Sequence, residues 1–175
     1  MTENPVWKVY DHLRTSRLNV KYYSAFRLKY AKLKLWTEIL LNLFASASLV
    51  AGASISDLAW GYTLWITCSF LTVLFATLGP FLRFGDKERA AESVLQKYLL
   101  LTRELEFLAV TIRSREKYGP EEQKAFHEIV DRYQTIAEES ITFPHDKSLI
   151  KELQAQINKE MPPDSFYVPG REEGF

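Results

Sequence analysis

The chain has 175 residues, 47% of them apolar and 25% charged, with 22 basic against 22 acidic side chains. Those averages are those of an ordinary soluble protein, and the single cysteine, Cys68, excludes an intrachain disulfide framework. The balance conceals segregation, because residues 1–35 hold eight basic and two acidic residues, 83–118 hold eight and six, and 119–175 hold six and twelve.

Pro5 to Trp36 reads as a long helix. Val6, Tyr10, Leu13, Leu18, Tyr22 and Phe26 recur mostly at three- and four-residue spacing, with Arg14, Arg17, Lys21 and Lys29 at other positions. Interleaved aromatic and basic residues of this kind lie on anionic headgroups, stack on bases, or simply pack on one face and solvate the other.

From Ile39 to Ser56 there is no charged residue or histidine, and after Asp57 the run Leu58 to Leu82 is charge-free for 25 residues. Spanning ~30 Å of hydrocarbon at ~1.5 Å per residue takes about 20 apolar residues. The pattern therefore predicts a membrane hairpin. Buried helices of a soluble bundle would carry a charged outer stripe, and neither run has one. A secretory signal is not expected, because more than 35 residues rich in charge and aromatics precede the first run, far too many for a signal n-region.

Lys29, Lys32 and Lys34 precede the hairpin and Arg83, Lys87 and Arg89 follow it, whereas the tip carries only Asp57. Basic residues next to spans stay inside. Both termini are thus expected to be cytoplasmic, with Trp60, Tyr62 and Trp65 in the outer aromatic belt and Trp36 in the inner one. Small residues crowd the outer half of the first span, including the pairs Ala47 with Ala51 and Ser48 with Gly52. Such spacing permits close helix approach, either to the second span or to another subunit. Asn42, Ser46 and Ala53 fall near one face and are the candidate lining of a pore, or else interhelical contacts only. Because two helices enclose no pore, conduction requires a homo-oligomer, and a tetramer is expected.

Gly79 and Pro80 mark the inner end of the second span. Helices are then predicted over Asp86–Lys117, from Pro120 to about Ser140 after the Gly119-Pro120 turn, and over His145–Lys159 after Pro144. The tail from Met161 to Phe175 is rich in proline and glycine and is expected to be extended, mobile or docked on a neighbour. The expected fold is an all-α membrane protein whose two-helix transmembrane hairpin carries a cytoplasmic bundle of the N-terminal helix and three C-terminal ones. Its expected divisions are a basic-aromatic helix over 1–36, the hairpin over 37–82 (spans about 37–56 and 60–82), a helical domain over 83–160 and the tail over 161–175.

His12, His127 and His145 have no Cys, Asp or Glu at ligand spacing, and the chain has no P-loop, dinucleotide fingerprint, nucleophile elbow or H-E-x-x-H. No enzyme, metal or cofactor is expected. The run Pro80-Phe81-Leu82, then Asp86-Lys87-Glu88-Arg89-Ala90-Ala91, then Tyr98, Leu101 and Arg103-Glu104-Leu105, resembles the segment after the second membrane helix of the SLATT family. The basic-aromatic helix, the tight hairpin and Phe143-Pro144 before a final helix resemble that family too, over roughly residues 10–160. These are two-transmembrane effectors of bacterial nucleotide-signalling antiviral systems. The resemblance implies an inner-membrane effector that oligomerises into a pore and depolarises the infected cell when a nucleotide or oligonucleotide signal changes, made by a partner nucleotidyltransferase.

A nucleotide needs cations for its phosphates and flat rings for its bases. Arg14, Arg17, Lys21, Tyr22 and Tyr23 form one candidate ligand cluster, and Arg83, Lys87 and Arg89 a second, for which anchoring on anionic lipid is the competing reading. The alternative to a pore is a non-conducting anchored adaptor that recruits a protein partner through its helical bundle. A holin-like lytic protein is a third reading, against which stands the large share of the chain in soluble helix.

Overall fold

The computed structural model describes residues 5–54, 59–140 and 143–169, without the side chains of residues 51, 53, 54, 59, 79 and 80. Among the described residues there are five α-helices and no strand: α1 Val6–Ser54, α2 Ala59–Leu82, α3 Phe84–Arg115, α4 Pro120–Ser140 and α5 Lys147–Glu160, then a 3-10 turn at Pro163–Ser165. The chain divides into two compact units, one of Met1–Ala25 with Ala91–Phe175 and the other of Phe26–Ala90. Both α1 and α3 contribute to each.

In the first unit the apolar stripes meet. Val9 and Leu13 of α1, Leu105 and Ile112 of α3, Ile129 of α4 and Ile157 of α5 are all buried, as three- and four-residue spacing requires when each helix turns one face inward. Buried Ser16 of α1 and Thr102 of α3 share a hydrogen bond of 2.7 Å, and the Thr102 hydroxyl also lies 2.7 Å from the Tyr98 carbonyl. Two hydroxyls are thereby buried without an unsatisfied polar atom. The tail packs on its own chain: Tyr10 donates to the Tyr167 carbonyl at 2.7 Å, and Phe166 stacks on the Tyr10 ring at 4.3 Å.

Helix ends follow local chemistry. α3 stops at Arg115, two residues before the expected end, because Glu116 takes a left-handed φ of 50°. At the start of α4 the Glu122 carboxylate reaches back to accept from the Gly119 N–H at 2.9 Å and accepts from Arg115 at 2.8 Å, the glutamate half of a capping box, since Gly119 has no side chain to return a bond. Its own backbone N–H above all, with those two donors, holds the Glu122 carboxyl below the usual carboxylate range against the opposing effect of burial. α5 starts at Lys147 rather than at His145, because Asp146 caps it by accepting from the N–H groups of Ser148 and Leu149, each at 3.1 Å.

In the second unit α1 and α2 form an antiparallel pair. Phe44 stacks on Phe75 at 5.8 Å, Ser48 bonds Ser69 at 2.6 Å, and a Cβ on Gly52 would lie 3.0 Å from the Trp65 indole nitrogen. Ser48 and Gly52 therefore face the second helix of the same hairpin, which settles where that pair of small residues packs. Both helices are long and apolar enough to cross a membrane. Within their most apolar stretches none of α1 and 11% of α2 is buried, the reverse of what a soluble core helix shows.

Candidate functional site

Of the first predicted ligand cluster, all five residues lie in the first unit, and four of them are engaged in holding it together. Arg17 pairs with Glu106 of α3 through Nη2 at 2.6 Å and Nε at 3.1 Å. Lys21 reaches Glu160 of α5 at 2.5 Å. The Tyr22 hydroxyl donates to the Pro144 carbonyl at 2.6 Å and accepts from the Asp146 N–H at 3.1 Å. Tyr23 stacks on Tyr98 at 5.5 Å with the rings 10° from parallel, and meets Phe143 edge-on at 5.4 Å.

Arg14 differs. It lines a cavity of about 320 Å³ between α1 and α5, together with Asp11, Thr15, Leu18, Gln154 and Asn158. Its Nη2 donates to the neutral Asn158 side chain, its buried Nε has no hydrogen-bond partner among the described residues, and no described carboxylate lies within ion-pair distance. A guanidinium in that position retains donors for an anion, which it would take as a charge-assisted pair.

Leu18 also borders an adjoining cavity of about 430 Å³, whose walls include Asn19, Tyr22, Tyr23, Tyr98, Tyr133 and His145. The Asn19 amide donates to the Tyr133 hydroxyl at 3.3 Å. Burial pushes the hydroxyls of Tyr23 and Tyr98 above their ordinary value, so both remain neutral near pH 7. A cation beside one cavity and aromatic rings around the next are the two components that a nucleotide requires. Asn158, Tyr98 and Tyr133 were invisible to local reading, since they lie 144, 84 and 119 positions from Arg14 and no motif joins them.

The second predicted cluster belongs to the other unit. Arg83 sits at the α2–α3 joint with a left-handed φ of 45°, Lys87 lies 5.8 Å from the Tyr30 ring centre and 6.0 Å from that of Phe84, and Arg89 is exposed. Of the candidate pore residues, Asn42 donates back to the Glu38 carbonyl at 2.9 Å and Ser46 to the Asn42 carbonyl at 2.8 Å, both on an exposed face of α1. The side chain of Ala53 lies outside the described residues. Cys68 is buried against the hairpin. Among the described residues no group of three His, Cys, Asp or Glu side chains is placed to hold a metal.

His12 packs edge-on against Phe126 at 5.3 Å and Tyr133 at 5.4 Å. Burial lowers its affinity for a proton, with Asp11 acting in the opposite sense. The unfolded chain therefore binds that proton more readily, and stability is full above the ordinary imidazole value of about 6.5 and is lost as the pH falls below it. Melting of the full chain in detergent at pH 7.5 and 5.5 is expected to show a drop that His12→Gln reduces; equal drops in both proteins would remove His12 as its source.

Comparison of the chain with protein-family models, with curated proteins and with solved structures finds no match.

Proposed function

We propose that the chain is a bacterial inner-membrane effector that assembles into a homo-oligomeric pore and is gated by a nucleotide-derived signal. The observation that carries this reading is the combination, in one chain, of an uncovered apolar hairpin and a helical unit whose cavity holds a guanidinium, Arg14, with no described carboxylate, Asp11 of the same cavity included, within ion-pair distance. The resemblance to the SLATT family supports the same assignment, including a nucleotidyltransferase as the source of the signal. Exposed Asn42 and Ser46 lie on α1 without a partner on α2 among the described residues, which suits a face turned towards other copies or a water path. Basic residues flanking the hairpin support cytoplasmic termini.

A ligand moves a closed–open balance only by its differential affinity for the two states, and going from 1:99 to 99:1 takes about 5.5 kcal/mol. Sites repeated around an oligomer share that requirement. The deciding experiment follows membrane potential with a voltage-sensitive dye in bacteria expressing the chain alone and with the nucleotidyltransferase. Depolarisation that the enzyme suppresses or triggers supports the gated pore; none under either condition overturns it. Arg14→Glu is expected to weaken binding of the enzyme's product to the detergent-purified chain by at least about tenfold, while Arg17→Gln, which breaks only a structural pair, changes affinity far less. Unaltered affinity in Arg14→Glu would remove this cavity as the ligand site.

One observation favours the adaptor reading: Leu100, Phe107 and Val110 are exposed on α3 at seven- and three-residue spacing. That stripe is the kind a partner helix covers.

A further inference from the structure

On α1, Lys34, Glu38 and Leu41 follow one another at four- and three-residue spacing and share a face. Opposite them are Phe75 of α2, Arg83 at the joint after its end, and Asp86 in the first turn of α3. All six line one cavity of about 720 Å³ within the second unit. Along both walls the lining changes in the same direction, from the apolar Leu41 and Phe75 to the charged Lys34, Glu38, Arg83 and Asp86. The charges are two cations and two carboxylates, and they are largely unspent. Lys34 has one loose ion pair, with Glu88 at 3.7 Å, and no other described charge lies within ion-pair distance of Glu38, Arg83 or Asp86. Arg83 reaches the cavity from a left-handed backbone, φ 45°, that a side-chain-bearing residue rarely adopts.

An amphipathic cavity at the end of an apolar hairpin, with equal numbers of both charges at its polar end, matches a particular ligand chemistry. A singly anionic headgroup would satisfy the cations and leave two carboxylates opposed to it. A quaternary amine donates no hydrogen bond, whereas a primary ammonium donates three. We propose that this cavity seats the headgroup of a phospholipid carrying a phosphodiester and a primary amine, the phosphatidylethanolamine type. Lys34 and Arg83 take the phosphate, Glu38 and Asp86 take the ammonium, and Leu41 and Phe75 lie against the start of an acyl chain. The site rests on the membrane reading of the hairpin and is independent of whether the assembled protein conducts.

The test is native mass spectrometry of the full chain in detergent, with equal amounts of phosphatidylethanolamine, phosphatidylglycerol and phosphatidylcholine added. The native chain is expected to retain the ethanolamine lipid about fivefold or more over the other two. The double variant Glu38→Gln with Asp86→Asn keeps the phosphate cations and loses the ammonium partners, so its preference is expected to move to phosphatidylglycerol. The double variant Lys34→Gln with Arg83→Gln is expected to lose the preference altogether. Equal retention of the three lipids by the native chain, or an unchanged preference in the carboxylate variant, overturns the site. Displacement of the lipid by equimolar soluble phosphoethanolamine overturns the lipid assignment, since the apolar end would then contribute nothing. Alkaline carbonate extraction of each variant separates the two levels: a chain released to the supernatant overturns the membrane reading and the site together, whereas a chain kept in the pellet without headgroup preference overturns the site alone.

Discussion

Replacing Phe70 and Val73 together by arginine is expected to shift the chain from the carbonate-resistant membrane pellet to the soluble or aggregated fraction. The two side chains are 65% and 64% exposed, near the middle of α2. At the centre of a spanning helix each arginine costs about 2.5–3.5 kcal/mol of insertion free energy, roughly a hundredfold or more in the inserted fraction. On the water-facing side of a soluble helix the same replacements fall within about 0.5 kcal/mol of neutral. The two readings of α2 thus differ by several kcal/mol on one observable. Phe81→Arg is the internal control, because that position, next to Arg83 at the helix end, lets the guanidinium reach the interface. Retention of the Phe70/Val73 variant in the pellet at the native level would overturn the transmembrane assignment of α2.

The second large effect is expected in the other unit. Leu105 has no exposed surface, and Leu105→Ala removes buried methyl groups and leaves a cavity, for a loss of about 2–5 kcal/mol. Against a domain stability of roughly 5–15 kcal/mol that is a large fraction. Hydrogen exchange of the backbone of residues 91–115 is expected to accelerate accordingly in the full chain. Leu100→Ala, five positions earlier on α3 where the side chain is 60% exposed, is expected to change exchange little. Equal acceleration by the two variants would mean that the burial pattern of α3 is misassigned.

Those two experiments address separate units, and a third link concerns ligand control. Should Arg14→Glu abolish nucleotide binding while hydrogen exchange of α3 stays native, the loss is one of recognition and not of folding. Arg17→Gln tests the contrast directly, because Arg17 carries the structural pair to Glu106 that Arg14 lacks.

Helices were legible in the chain because their determinants are local. Gly119-Pro120 announced α4, whose start at Pro120 is where the expected helix begins; the α2 bounds Ala59–Leu82 track the charge-free run almost to the residue; and of the expected α1 stripe Val6, Tyr10, Leu13, Tyr22 and Phe26 are buried, with Leu18 half-buried. What periodicity could specify was which face turns inward, and burial followed from it. The misplaced ends are equally instructive. α5 begins after Asp146 because a carboxylate accepting two N–H groups outcompetes continuation through His145, and α3 ends early because Glu116 turns left-handed.

The ligand candidates were legible as residue types and not as roles. Arg14, Arg17 and Lys21 are three cations on one helix, alike in sequence. Only tertiary packing separates them, by setting Glu106 against Arg17 and Glu160 against Lys21 from positions 89 and 139 residues away, while Arg14 meets a neutral amide 144 residues away. Coulomb attraction and hydrogen bonding act over a few ångströms, so a side chain's remaining capacity to bind depends on neighbours that chain order does not bring near. By itself, then, the sequence determined the helical content, the two uncharged runs and the inward faces, each set by residues within a turn or two. Which cation stays unpaired, which small residues face α2 and which charges gather in one cavity were decided by the tertiary structure, because these depend on contacts between distant segments.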